Sequence, residues 1–173
     1  MIIENFAPEL LADEIKSILC GDNFAWFYND FVASTEFMGA FQFTHTFMRN
    51  GQPTSDAIGL VKPLVYLAEI HTGKKIKSID RIKANLRVPS NIPDSMEEIH
   101  QDMPSGNYMT LLYYVNDSDG DTEFYADDKK TLVESITPKA NSAVWFDSKT
   151  WHKSSPPVTN KQRVVINFIL EVE

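Results

Sequence analysis

After Lys74 the chain is written in short runs of β-branched and aromatic residues, each closed by a cluster of turn formers, and that rhythm points to a β architecture. The runs 77–88, 108–115, 122–125, 131–137, 143–146 and 163–172 read as strands. Pro89 to Pro93, Asp117-Ser118-Asp119-Gly120, Asp127-Asp128-Lys129-Lys130, Pro138 to Asn141 and Pro156-Pro157 punctuate them. Strands at such hairpin-like spacing imply a sandwich, a barrel or a jelly roll.

The N-terminal part has a different period. Leu10, Leu11, Ile15, Ile18 and Leu19 predict a helix over about 8–18, with Pro8 in the tolerated first turn and Gly21 as the stop. A second helix is predicted between Ser55 and His71, where Ala57, Ile58, Leu60, Val61, Leu64, Val65, Leu67 and Ala68 make a broad apolar stripe. Pro63 should fall early in it or kink it. Aromatic alternation over 24–31 and 36–48 predicts strands added at the sheet edges. No repeat or low-complexity stretch breaks the 173 residues, a length that suits one domain.

Sixteen Lys and Arg against 24 Asp and Glu give a net charge of −8. No basic run offers the clustered cations that phosphate contacts need, so nucleic acid and anionic membranes rank low as partners. The N-terminus lacks the pattern of a signal peptide and no apolar run approaches a membrane span, which sets the expectation of a cytoplasmic protein. Cys20 is the single cysteine, so the chain forms no internal disulfide. The Asn116 sequon then carries no meaning as a glycosylation site.

Four titratable residues stand out on this scaffold. His100 and Asp102 are two residues apart, which on an extended segment means the same side. His152 follows the 143–146 strand, where a jelly roll can return it beside that pair. Two imidazoles and a carboxylate on one face of an octahedron leave three positions open, the arrangement of non-haem Fe(II) oxygenases. For His152 the competing reading is a loop imidazole without a ligand. Arg163 opens the most apolar strand of the chain, with Val165, Asn167 and Ile169 on its face, and a guanidinium aimed into a barrel mouth needs an anion. A ligand carboxylate, an internal salt bridge or a reach to water would each answer that need. In 82–88, Asn85 and Arg87 stand opposite Ala84, Leu86 and Val88, and the simplest expectation is the solvated polar face of an edge strand.

Together these residues resemble the Fe(II)/2-oxoglutarate-dependent dioxygenases, specifically the short prolyl-4-hydroxylase-like branch of bacteria and phages. The motifs are His100-Gln101-Asp102, Leu112-Tyr113-Tyr114-Val115-Asn116, Gly120-Asp121-Thr122-Glu123-Phe124, Trp145-Phe146-Asp147 ahead of His152, and Arg163-Val164-Val165-Ile166-Asn167-Phe168. The resemblance implies a mainly β fold with supporting α-helices, a double-stranded β-helix (jelly roll, cupin-like). It would form a single domain over 1–173, with helices and edge strands in 1–75 and the catalytic core in 76–173. It implies Fe(II) on His100, Asp102 and His152, and the C5 carboxylate of 2-oxoglutarate on Arg163. Tyr114, Asn167, Asn85 and Arg87 are further cosubstrate candidates, Arg87 standing where relatives place a tyrosine. O₂ is the second cosubstrate and ascorbate a candidate reductant. The implied reaction couples decarboxylation of 2-oxoglutarate to C–H hydroxylation.

A peptidyl prolyl residue is the substrate the resemblance favours, and a free amino acid or other small metabolite is the alternative. A non-catalytic cupin-like metal-binding domain is the competing class, and oligomeric state is left open. Residues 117–128 carry carboxylates at the first EF-hand positions but lack the loop glycine and final Glu, so they read as a solvated turn. His71 reads as a helix C-terminal cation, and His45 as structural or substrate-side. Residues 31–53 are a candidate lid whose plain alternative is an edge hairpin.

Overall fold

A computed structural model describes residues 1–32, 40–90 and 98–173. Eleven strands and three helices are formed among them. The strands are β1 (Ile2–Ile3), β2 (Phe27–Asn29), β3 (Gln42–Arg49), β4 (Gln52–Pro53), β5 (Ile76–Arg87), β6 (Tyr108–Tyr114), β7 (Thr122–Tyr125), β8 (Leu132–Ile136), β9 (Ser142–Asp147), β10 (Trp151–Ser154) and β11 (Arg163–Val172). The helices are α1 (Glu9–Leu19), α2 (Ile58–Val61) and α3 (Pro63–Thr72).

A major antiparallel sheet runs β1-β9-β6-β11-β5-β3-β2, with β4 on β3, and a minor sheet runs β10-β7-β8. One isolated bridge, His100 to His152, continues the minor sheet beyond β10. Two facing antiparallel sheets of this kind make the double-stranded β-helix. Alternation splits the major sheet into two chemical faces. On β11, Val164, Ile166, Phe168 and Leu170 join Ile15, Leu19, Leu64 and Ala68 of α1 and α3 in the larger buried cluster. The opposite face contributes Leu112, Tyr114, Val144 and Val165, which pack with Phe124 and Ile136 of the minor sheet in a second, smaller cluster. That second cluster covers only part of the gap between the sheets, and the functional site occupies the rest.

Most sequence-predicted elements are present within a residue or two, and the differences have physical causes. The helix expected over 55–71 is two helices, because Pro63 supplies no N–H and starts α3 at its first position; Gly73 ends it in the left-handed conformation, φ 66°. Of the strands expected at 24–31 and 36–48, the structure forms Phe27–Asn29 and Gln42–Arg49; residues 36–39 of the second segment and 33–39 of the candidate lid lie outside the described residues. Strand β10 was not predicted, since Trp151-His152-Lys153-Ser154 is too short and polar to announce itself. The largest correction concerns β5. It is no edge strand, because it pairs with β11 on one side and β3 on the other, so its polar face is turned between the sheets and not to solvent.

Candidate active site

His100 and His152 are held together by their own backbones. Each N–H donates to the other's carbonyl at 2.9 Å, and the imidazole centroids stand 4.5 Å apart. Asp102 follows on the same side, and the ligand-capable atoms of the three residues all lie within 4.8 Å of one another. Each ring is oriented by a carbonyl: His100 Nδ1 meets Glu98 O at 3.1 Å and His152 Nδ1 meets Thr150 O at 2.9 Å. A carbonyl only accepts, so Nδ1 carries the proton on both rings and Nε2 presents a lone pair.

Asp102 is fixed just as closely. Its Oδ1 accepts from Arg81 at 3.0 Å, and its Oδ2 from Thr110 Oγ1 at 2.9 Å and Asn167 Nδ2 at 3.0 Å. His152 Nε2 lies 3.6 Å from the same Oδ2. Thr110 has one proton and spends it on Asp102, so it accepts from Ser148 Oγ at 2.9 Å, extending the chain into the core. Burial by itself would raise the Asp102 carboxyl, but His152, Arg81, His100 and the Asn167 bond outweigh it and hold the group down at about 2.

Burial, then the neighbouring His152, pushes His100 down to about 4, against the opposing pull of Asp102. An unfolded histidine titrates near 6.5. Between about pH 6.5 and 4 the unfolded chain therefore binds a proton that folded His100 refuses, so stability falls as the pH drops through that window. In chelator-treated protein, the melting temperature is expected to decline from pH 6.5 to 4, and His100→Gln should flatten the decline. An unchanged slope in that variant would contradict the assignment.

The cavity beside these residues is lined by four cations, Arg81, Lys83 and Arg87 of β5 and Arg163 of β11, with Asp102 the one carboxylate among the described lining residues. Arg163 is 2% exposed; its Nε donates to Gly120 O at 2.7 Å and its NH2 group to Thr122 Oγ1 at 2.8 Å. Gly120 is required there, since a Cβ would stand 2.5 Å from Ser155 O. Tyr114 is also fully buried, and its hydroxyl donates to the same Thr122 Oγ1 at 2.8 Å. Arg87 is the register partner of Arg163 and donates to Ser154 O at 2.7 Å. Burial, then Arg81, lowers the Lys83 ammonium to about 8, with Asp102 opposing.

Residues 91–171 match the model of the family described as the 2OG-Fe(II) oxygenase superfamily, a stretch that contains His100, Asp102, His152 and Arg163 in order. By that match, which spans a little under half of the chain, the protein reads as a 2-oxoglutarate-dependent oxygenase. No curated protein matches its sequence. Its fold is similar to a prolyl hydroxylase from Trichoplax adhaerens, solved with a hypoxia inducible factor oxygen degradation domain peptide fragment, at 17% identity over 99% of this chain and 82% of that one, TM-score 0.70. It is similar to a prolyl-4-hydroxylase from Pseudomonas putida at 11% identity over 99% and 91%, TM-score 0.64. The epimerase SnoN of nogalamycin biosynthesis matches at 14% identity over 98% and 76%, TM-score 0.64.

As a 2OG-Fe(II) oxygenase, the protein uses Fe(II), 2-oxoglutarate and O₂. Its donor set fits the iron, since two Nε2 lone pairs and a carboxylate converge in a buried, polar pocket. Sequence reasoning missed Arg81, Lys83 and Thr122, whereas Thr110 lies on the 108–115 face that mixes hydroxyls with apolar groups and suits a pocket lining. The signal for the first two was available: Arg81, Lys83, Asn85 and Arg87 alternate without an apolar residue on their face, which a strand inside a sheet tolerates only beside a polar cavity. His45 stands apart from the site, its Nδ1 on Ala25 O and its Nε2 on Ser55 Oγ, both at 2.8 Å. His71 Nε2 meets Phe6 O at 2.8 Å. Among the described residues no helix is long and apolar enough to cross a membrane.

Proposed function

We propose that this oxygenase hydroxylates a C–H bond, with Fe(II) on His100, Asp102 and His152 and the C5 carboxylate of 2-oxoglutarate on Arg163. The observation that carries the reading is the pairing of a carbonyl-oriented His, Asp, His cluster with a buried arginine on one cavity. Iron, 2-oxoglutarate and O₂ supply the oxidation: 2-oxoglutarate leaves as succinate and CO₂, with one oxygen atom in succinate and the other in the hydroxylated product.

The chain's own residues do the positioning. Thr110, Asn167 and Arg81 hold the Asp102 carboxylate ionised and fixed, while Glu98 O and Thr150 O set the imidazole tautomers. Asn167, a candidate cosubstrate ligand by resemblance, spends its amide on Asp102 and Arg81, which supports a positioning role. Tyr114 acts on the cosubstrate end through Thr122, the acceptor it shares with Arg163. Arg87 adds a second guanidinium at that end.

Two substrate classes each have support. A peptidyl prolyl residue is favoured by the likeness to two prolyl hydroxylases. A free amino acid or another small metabolite is favoured by the cationic, polar lining of the cavity. The test is anaerobic titration with Fe(II) and 2-oxoglutarate, followed by air. Near-stoichiometric Fe(II) binding and conversion of 2-oxoglutarate to succinate are expected. Folded protein that does neither is a cupin-like binding domain and no hydroxylase.

A further inference from the structure

We propose that Lys83 and Asn85 form the subsite for the primary substrate, and that this substrate is a small molecule carrying a carboxylate beside an amino group, the chemistry of a free amino acid. The inference rests on the oxygenase reading above and narrows its substrate.

Both residues lie on the cavity-facing side of β5, two positions and so about 7 Å apart. Their neighbours on that face are engaged: Arg81 with Asp102, Arg87 with Ser154 O, and Arg163 across the sheet with Gly120 O and Thr122. Lys83 is different. Its ammonium lines the cavity, yet makes no hydrogen bond or ion pair among the described residues. Asn85 Oδ1 is likewise buried without a hydrogen-bond partner. A buried amide oxygen left unsatisfied costs about 1–3 kcal/mol, so Asn85 is most stable when a ligand completes it, and the Lys83 ammonium beside it supplies an uncommitted positive charge. Lys83 asks for an anion and Asn85 Oδ1 for an N–H donor, and an amino acid offers the two side by side.

Charge points the same way. Four lining cations face one lining carboxylate; Fe(II) brings two positive charges and 2-oxoglutarate two negative ones, so the loaded site keeps three positive charges in excess among the described residues. The remaining anion is not readily the far end of 2-oxoglutarate. Lys83 pairs in register with Asn167, four residues along β11 from Arg163 and so about 13 Å away along the backbone, which sets the two cations over different parts of the cavity. A prolyl residue inside a peptide has neither a free carboxylate nor an ammonium at the reacting residue, so it brings no anion of its own to Lys83.

The experiment uses the full chain loaded anaerobically with Fe(II) and 2-oxoglutarate, whose binding is measured first. Calorimetry then follows the common free L-amino acids, their carboxamides and a prolyl-containing peptide, and air is admitted to read succinate. At least one amino acid should bind and stimulate succinate formation, and its carboxamide should bind about 10-fold or more weakly. Lys83→Met should weaken that amino acid's Kd about 10- to 100-fold more than it weakens the Kd of 2-oxoglutarate, and Lys83→Arg should recover part of the loss. Circular dichroism and the melting temperature check that each variant is folded, independently of either Kd. Turnover of the prolyl peptide with no response to any free amino acid would overturn the proposal. So would an equal or larger loss of 2-oxoglutarate binding in Lys83→Met, which would put Lys83 in the cosubstrate site. Absence of Fe(II) and 2-oxoglutarate binding in wild type would overturn the oxygenase reading as well.

Discussion

His152→Ala is expected to lower Fe(II) affinity by more than the roughly 10- to 100-fold that follows loss of a residue merely supporting a ligand, because here a ligand itself is removed. Succinate formation should fall with it. The same holds for His100→Ala and Asp102→Ala, yet the three variants should differ in stability. Asp102 satisfies Arg81, Thr110 and Asn167, so its removal leaves three donors facing an empty corner and costs about 1–3 kcal/mol beyond the metal. His152 gives its Nδ1–H to Thr150 O and packs its ring on Phe124 and Phe146, so its loss is chiefly one of packing. A melting-temperature series with and without Fe(II) separates the two effects. Wild type should gain stability from the ion by mass action, and none of the three variants should. A variant that keeps the full Fe(II)-dependent gain would remove that residue from the ligand set.

How much of this was legible in the sequence depends on whether a residue's partner is local. His100 and Asp102 share a side because alternation is a property of the strand itself, and Arg163 was visible because one charge opens an otherwise apolar run. The return of His152 was expected from its place after the 143–146 strand of a jelly roll and from the resemblance, since nothing in Trp151-His152-Lys153 itself shows that its backbone pairs with residue 100. The face of β5 was misjudged for the same reason. Whether Asn85 and Arg87 meet water or a cavity is decided by β11, which pairs with β5 from 76 residues further on, Arg87 opposite Arg163. Once β5 is known to be interior, its cations change from solvated surface to site residues, and the chain's net charge of −8 conceals a strongly positive interior.

Arg163→Ala should weaken 2-oxoglutarate binding by about 2–4 kcal/mol, or about 30- to 1000-fold in Kd, while leaving Fe(II) affinity within a few-fold of wild type. The size follows from burial: at 2% exposure the guanidinium meets a carboxylate without competition from bulk water. The effect on the unliganded protein should be smaller, because two opposing changes occur. Removing Arg163 strips a donor from Gly120 O and from Thr122, but it also separates two guanidiniums that face each other in register, and like charges directly opposite are destabilising. Arg163→Lys should keep the charge yet lose the forked geometry, and so lie between alanine and wild type. Calorimetry of 2-oxoglutarate binding to Fe(II)-loaded protein, set beside the melting temperature of each variant without 2-oxoglutarate, distinguishes these effects. If Arg163→Ala binds 2-oxoglutarate as wild type does, the C5 carboxylate is held elsewhere, and Arg87, the register partner left at that end of the cavity, becomes the next residue to replace.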